Sequence, residues 1–103
     1  MKRHILLIED NEQNRYLTTF LLEKHGYRVT SAATGPAGVQ LARELLPDLI
    51  LLDVQLPGMD GYAVATALKA DARTSGIPIV VVTSYAMAGD REKVLATGAE
   101  GYL

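Results

Sequence analysis

The sequence predicts an α/β fold, in which a parallel sheet is covered by helices on both faces. Short apolar runs alternate with helical patterns along the chain. The runs are rich in Ile, Leu and Val, which is typical of strands that are buried on both sides. Gly and Pro separate the segments where the chain has to turn. We therefore expect a doubly wound, five-stranded parallel sheet in the order 2-1-3-4-5, with right-handed crossovers.

The first half of the chain contains two strands, each followed by a helix. The first strand is predicted at 4–8, where the residues are apolar or β-branched after His4, and a short second strand at 27–32. Asn11 can cap a first helix that runs to about His25, and Gly26 favours a left-handed stop. The second helix opens at 34–36 and ends at Pro47. The apolar positions of the two helices are Leu17, Phe20 and Leu21 in the first, and Val39, Leu41, Ala42, Leu45 and Leu46 in the second.

The second half repeats the alternation. Strands are predicted at 49–52, at 79–82 and from 101 to the end, with a turn at 56–58 where Pro is followed by Gly. Helices are predicted at 61–70 and at about 90–98.

Composition excludes several classes of protein. The 103 residues are 49% hydrophobic, which is enough for one core in one domain. A net charge of -2 gives no basic surface for nucleic acid or for an anionic membrane. The absence of cysteine excludes disulfides and thiolate metal sites. No apolar run could cross a membrane and no signal peptide is evident, so we expect a cytoplasmic protein that binds other proteins.

Three acids follow two of the predicted strands. Glu9 and Asp10 come directly after the first strand, and Asp53 comes after the third. In the order 2-1-3-4-5 these strands flank the switch point of the sheet, so the three carboxylates are expected to meet. Crowded carboxylates repel one another unless a cation intervenes, and hard oxygen ligands suit Mg²⁺. The sequence therefore predicts a magnesium site beside a nucleophilic aspartate, Asp53.

Four motifs resemble those of the response-regulator receiver domains of two-component signalling. They are Ile-Glu-Asp-Asn at 8–11, Leu-Leu-Asp-Val-Gln-Leu-Pro-Gly-Met-Asp-Gly at 51–61, Val-Val-Thr-Ser at 81–84 and Gly-Ala-Glu-Gly-Tyr-Leu at 98–103. The resemblance covers essentially the whole chain. It is closest to single-domain cell-cycle regulators and to receivers attached to hybrid histidine kinases. It implies a flavodoxin-like fold.

The resemblance also implies a set of site residues. Asp53 would accept a phosphoryl group from a phosphohistidine on a histidine kinase or histidine phosphotransfer protein. Asp10 and Asp53 would ligate Mg²⁺, the backbone carbonyl of Gln55 would supply a third oxygen, and Glu9 would act through water. The domain would be a regulatory phosphoacceptor that assists its own phosphorylation and dephosphorylation, rather than an enzyme.

Two further residues would transmit the signal. The Thr83 hydroxyl would donate to a phosphoryl oxygen, and Tyr102 would turn inward as the loop after Thr83 moves. The surface formed by the fourth helix and fifth strand would then bind a downstream protein or an attached output domain. Members of this family carry a lysine just after the fifth strand and a fifth helix, which residues 1–103 do not include. We therefore expect one receiver domain, truncated after the fifth strand, from a longer natural protein.

Other functions remain as alternatives. A phosphohydrolase of the haloacid dehalogenase type would need an acid at position 55, where the chain has Gln. A nucleotide-binding domain would need a glycine-rich loop after the first strand, where the chain has Glu-Asp-Asn-Glu. A scaffold that binds partners without being phosphorylated is also compatible. By itself, Asp53 could equally cap the turn that follows it.

Overall fold

The computed structural model describes residues 3–53 and 61–82, together with the backbone of 101–102. The elements are β1 (His4–Ile8), α1 (Glu12–Lys24), β2 (Arg28–Ala32), α2 (Gly35–Leu45), β3 (Leu49–Asp53), α3 (Gly61–Ala70), β4 (Ile79–Val82) and β5 (Gly101–Tyr102). All five strands form one parallel sheet in the order β2-β1-β3-β4-β5, which confirms the predicted topology. The predicted turn at 56–58 and helix at 90–98 lie outside the described residues.

The register of the sheet brings the ends of its central strands level. Ile8, the last residue of β1, is paired with Ala32 on one side and with Leu52 on the other. On the far side of β3, Asp53 is paired with Val82, the last residue of β4. The residues that follow β1 therefore lie beside the end of β3, at one edge of the sheet.

The main core lies between the sheet and the helices α2 and α3. Its fully buried side chains come from β1, β3, β4 and α3, and they include Leu6, Ile8, Ile50, Leu52, Val64, Leu68 and Ile79. Helix α2 approaches β1 very closely at Gly38, since a Cβ atom at this position would lie 2.5 Å from Cδ1 of Ile8. Only glycine lets the helix backbone come this near to the strand.

Helix α1 is well capped but poorly covered. Asn11 accepts a hydrogen bond from the backbone N–H of Asn14 and so caps the helix, as predicted. Leu17, Phe20 and Leu21 remain 55%, 52% and 48% exposed, and α1 contains no buried residue. Helical periodicity correctly places these three side chains on one face, but it does not show whether another element covers that face. Among the described residues, no helix is long and apolar enough to span a membrane.

The end of α2 differs from the predicted apolar stripe. Val39 and Ala42 are buried, whereas Leu45 and Leu46 are exposed. Leu46 is not part of the helix but its C-cap, with φ 46° and ψ 61°. A left-handed conformation is unfavourable for a residue with a Cβ atom, so this cap carries strain that a glycine would avoid.

The buried His4 lies at the edge of the sheet opposite the acids, in a hydrogen-bonded cluster with more exposed residues. The His4 ring accepts a hydrogen bond at Nδ1 from the Arg28 guanidinium (3.3 Å), since arginine can only donate. Its Nε2 therefore carries the proton and donates to the Thr30 hydroxyl (2.8 Å). Asp48 accepts a bond from the backbone N–H of His4. Burial, followed by the charge of Arg28, lowers the pKa of His4, and the Asp48 charge opposes this only in part.

Candidate functional site

Three carboxylates meet at the carboxyl ends of β1 and β3. Glu9 and Asp10 lie in the loop between β1 and α1, and Asp53 is the last residue of β3. One carboxylate oxygen from each residue lies within 4.8 Å of the other two. The parallel pairing of β1 with β3 produces this arrangement, because it places both strand ends at the same edge of the sheet.

The three acids of this cluster differ in burial and in protonation. Glu9 and Asp53 are half-buried and Asp10 is exposed. The pKa of Glu9 is raised to about 7, mainly by burial and then by a hydrogen bond and charge repulsion from Asp53. Hydrogen bonds from Asn11 and Asn14 oppose the shift and do not overcome it. Near neutral pH, Glu9 therefore carries a proton in part of the molecules, unless a cation replaces it.

The donor set fits a small divalent cation with hard-ligand chemistry. All three donors are carboxylate oxygens, and they lie close enough together to contact one ion. Charge repulsion from Asp53 contributes to the raised pKa of Glu9, after burial, and a divalent cation would relieve that repulsion. Mg²⁺ usually takes one or two protein carboxylates and keeps several waters, so an open cluster of this kind suits it.

The loop that carries Glu9 is held from both sides. The backbone N–H of Glu9 donates to the carbonyl of Ala32 at the end of β2 (3.0 Å). Its side-chain Oε1 accepts from the backbone N–H of Asn11 (3.2 Å) and from the Asn14 amide (3.5 Å). The first turn of α1 thus fixes the direction of the Glu9 carboxylate. The sequence analysis gave Asn11 only a capping role and gave Asn14 no role.

Arg15 is a further contact that the sequence analysis missed. Its Nη1 donates to the backbone carbonyl of Glu9 (3.0 Å) and to that of Asp10 (3.3 Å). The sequence places Arg15 in the first turn of a predicted helix, six residues after Glu9 and five after Asp10. That spacing alone does not show whether the guanidinium turns toward the acids or toward water.

The other predicted site residues are not described in the same detail. Gln55 and Thr83 lie outside the described residues. Tyr102, in β5, is described only by its backbone, which pairs with Val81 of β4. Their roles stay predictions, whereas the meeting of Glu9, Asp10 and Asp53 is present in the structure.

The sheet order and the acidic edge define a class of signalling domain, and comparison with known proteins identifies it. The response regulator receiver domain family matches residues 5–103. The chain therefore belongs to the response-regulator receiver family, as its motifs suggested.

Individual relatives cover the full length of the chain. The polar-differentiation response regulator DivK of Brucella ovis is 41% identical over 103 residues, which are 100% of this chain and 84% of the relative. The receiver domain of the sensor histidine kinase PA1611 of Pseudomonas aeruginosa superimposes with a TM-score of 0.91 at 38% identity. That comparison covers 100% of this chain and 84% of the other, whose structure has a magnesium ion coordinated in the active-site cleft.

A chemotaxis protein shares the same fold at lower identity. CheY4 of Vibrio cholerae superimposes with a TM-score of 0.94 at 26% identity, over 100% of this chain and 86% of that one. The chain is thus a receiver domain of a response regulator, a regulatory family.

Proposed function

We propose that Asp53 is the phosphoacceptor of this receiver domain and that Glu9, Asp10 and Asp53 hold the Mg²⁺ that the transfer requires. The observation that supports the proposal most directly is the cluster itself, in which one oxygen from each carboxylate lies within 4.8 Å of the others. The magnesium ion in the active-site cleft of the PA1611 receiver domain gives independent support, at 38% identity.

The proposed reaction moves one phosphoryl group from nitrogen to oxygen. A carboxylate oxygen of Asp53 attacks the phosphorus of a phosphohistidine on a histidine kinase or histidine phosphotransfer protein. A P–O bond forms, the P–N bond breaks, and the imidazole nitrogen leaves with the bonding electron pair. The product is an aspartyl phosphate, and hydrolysis of it returns inorganic phosphate and the free carboxylate.

The residues of this chain position the nucleophile and the metal. Asp53 ends β3 in register with Val82, so its carboxylate is carried by a paired strand rather than by a loose loop. The bound Mg²⁺ would neutralise charge on the phosphoryl oxygens and on the crowded carboxylates. We assign to Glu9 a contact through water, and to the backbone carbonyl of Gln55 a third protein ligand.

The same proposal includes a switch. A phosphoryl group on Asp53 would accept a hydrogen bond from the Thr83 hydroxyl, and Tyr102 would move inward in response. Val82 precedes Thr83 and is paired with Asp53, which supports this assignment. The altered surface would bind a downstream protein or an attached output domain, with no direct contact to nucleic acid or membrane. We propose that the protein acts in the cytoplasm, and that it assists its own phosphorylation and dephosphorylation.

Phosphorylation of the full chain tests the proposal. The protein is incubated with Mg²⁺ and either acetyl phosphate or a phosphorylated histidine kinase, and the product is analysed by intact mass and by peptide mapping. We expect one base-labile phosphoryl group on Asp53, none without Mg²⁺, and none in Asp53→Asn. Glu23→Gln, which removes an exposed negative charge far along α1, should be phosphorylated like the wild type.

Two results would favour the alternative functions. A folded wild type that takes no phosphoryl group from either donor would favour a scaffold. Turnover of many phosphate esters per chain would favour a phosphohydrolase. Phosphorylation that persists in Asp53→Asn would contradict the assignment of Asp53.

A further inference from the structure

We propose that Arg15 is a positioning residue of the metal site, because it fixes the backbone from which both acids of the β1–α1 loop project. Arg15 is the fourth residue of α1. Its Nη1 lies 3.0 Å from the carbonyl oxygen of Glu9 and 3.3 Å from that of Asp10, so one nitrogen bridges two consecutive peptides. This inference rests on the Mg²⁺ site of the proposed function, but it does not require that Asp53 be phosphorylated.

The contact matters most for Asp10. Glu9 has other restraints, since its N–H is bonded to Ala32 and its side chain to Asn11 and Asn14. The Asp10 carboxylate is exposed and, within residues 3–53 and 61–82, accepts no hydrogen bond. The peptide between Asp10 and Asn11 is held at both of its polar groups, since its carbonyl accepts from Arg15 and its N–H donates to Glu9 Oε1. Without the Arg15 bond this peptide would keep one of its two hydrogen bonds, and the Asp10 carboxylate would be held less firmly in the position that it shares with Glu9 and Asp53.

The guanidinium acts on the backbone rather than on the carboxylates. Within the described residues, both hydrogen bonds of the Arg15 side chain are to carbonyl oxygens. Arg15 therefore orders the backbone of the loop and leaves the carboxylate oxygens for a metal ion. Groups that orient metal ligands in this indirect way commonly change metal affinity when they are removed.

Magnesium titrations of four full-length proteins test this inference. Calorimetry with MgCl₂ gives the Mg²⁺ affinity of the wild type, Arg15→Met, Arg15→Lys and Lys24→Met. We expect Arg15→Met to bind Mg²⁺ about tenfold more weakly. Arg15→Lys keeps the charge and can reach one of the two carbonyls. We therefore expect it to bind Mg²⁺ roughly threefold more weakly than the wild type, which is a smaller loss than in Arg15→Met. Lys24→Met removes an equal charge from the last turn of α1 and should bind like the wild type.

A second readout separates positioning from a general loss of structure. Phosphorylation by acetyl phosphate is followed as a function of Mg²⁺ concentration. We expect Arg15→Met to need more Mg²⁺ for half-maximal rate but to reach the wild-type rate at saturation. A purely structural defect would instead lower the maximal rate and the melting temperature together. Should Arg15→Met not fold, Arg15→Lys carries the test.

Three outcomes would overturn the inference. They are wild-type Mg²⁺ affinity in Arg15→Met, wild-type affinity in Arg15→Lys, and equal weakening in Lys24→Met and Arg15→Met. The second and third would show that charge alone is responsible. If the wild type binds Mg²⁺ but takes no phosphoryl group, the proposed function fails, while the Mg²⁺ affinities still decide the role of Arg15.

Discussion

Glu9 is half-buried beside the Asp53 carboxylate, and both circumstances disfavour its ionised form. The folded protein raises the pKa of Glu9 from 4.5 to about 7. Between these values the folded state binds more protons than the unfolded state, so the free energy of unfolding contributed by Glu9 falls as pH rises. The stabilising effect of this proton is complete at low pH and is lost by about pH 7.

This pH dependence can be measured in EDTA by urea unfolding at several pH values between about 5 and 8. As pH rises, the wild type should lose stability relative to Glu9→Gln. The glutamine variant keeps the size of the side chain and removes its titration. A difference that does not change with pH would contradict the raised pKa of Glu9.

Leu46 provides a test of local strain. Its left-handed φ of 46° is unfavourable for a side chain with Cβ, and the side chain is 56% exposed. We expect Leu46→Gly to stabilise the protein by about 1 kcal/mol, since the relief of strain exceeds the greater flexibility of glycine in the unfolded chain.

Leu45→Gly is the matched control for that substitution. Leu45 is the last residue of α2 and is also exposed, but it has helical geometry. Glycine there should destabilise the protein by roughly 0.5–1 kcal/mol. Thermal unfolding of both variants gives the comparison, and equal losses of stability would show that the cap at Leu46 is not strained.

The packing of α2 on β1 depends on the close approach of Gly38 to Ile8. A side chain at Gly38 would meet Ile8, whose Cδ1, Cγ1 and Cγ2 atoms lie 2.5, 2.7 and 3.1 Å from the Cβ position. Ile8 is fully buried and has little room to move. We expect Gly38→Ala to destabilise the protein by about 1–3 kcal/mol, measured by urea unfolding.

A double-mutant cycle shows whether this contact is the cause. Ile8→Val removes the nearest methyl group, so it should cost less stability in the Gly38→Ala background than in the wild type. Gln40→Ala, at an exposed position of the same helix, should change stability by less than about 0.5 kcal/mol. Additive effects of Gly38→Ala and Ile8→Val would show that the two positions do not compete for space.

Most elements could be predicted because their signals are local. β1, α3 and β4 have the predicted bounds, since β-branched or apolar runs and Gly or Pro residues mark their ends. β3 extends one residue further, to Asp53, because pairing with β4 continues beyond the apolar run. The exposed face of α1 could not be predicted, because coverage depends on which other elements are present.

The candidate site was predictable to a similar degree. The acids at 9, 10 and 53 could be placed together from strand order alone, since neighbouring parallel strands end at one edge. The contacts of Asn14 and Arg15 could not, because they depend on the direction of α1 relative to the loop. Sequence therefore located the acids, and the structure added the groups that orient them.

We expect a domain of this size to unfold as one cooperative unit, so ligand binding at one edge should stabilise all of it. Mg²⁺ at 100 times its dissociation constant should add about 2.7 kcal/mol to the free energy of unfolding, if it binds only the folded state. Calorimetric melting with and without MgCl₂ measures this effect. Asp10→Asn should lose most of the Mg²⁺-dependent shift, and a full shift in that variant would remove Asp10 from the ligand set.

His4 is a second group whose protonation changes the free energy of unfolding, and its effect is opposite to that of Glu9. Because the pKa of His4 is lowered from 6.5, acidification protonates the unfolded chain first and weakens the fold. A fall in pH thus increases the stability contributed by Glu9, at the carboxyl edge of the sheet, and decreases the stability contributed by His4, at the amino edge. The two responses partly cancel in mildly acidic solution, which buffers the fold against changes in pH. His4→Gln should expose the Glu9 response alone in urea unfolding, and an unchanged pH profile would show that His4 contributes nothing to this balance.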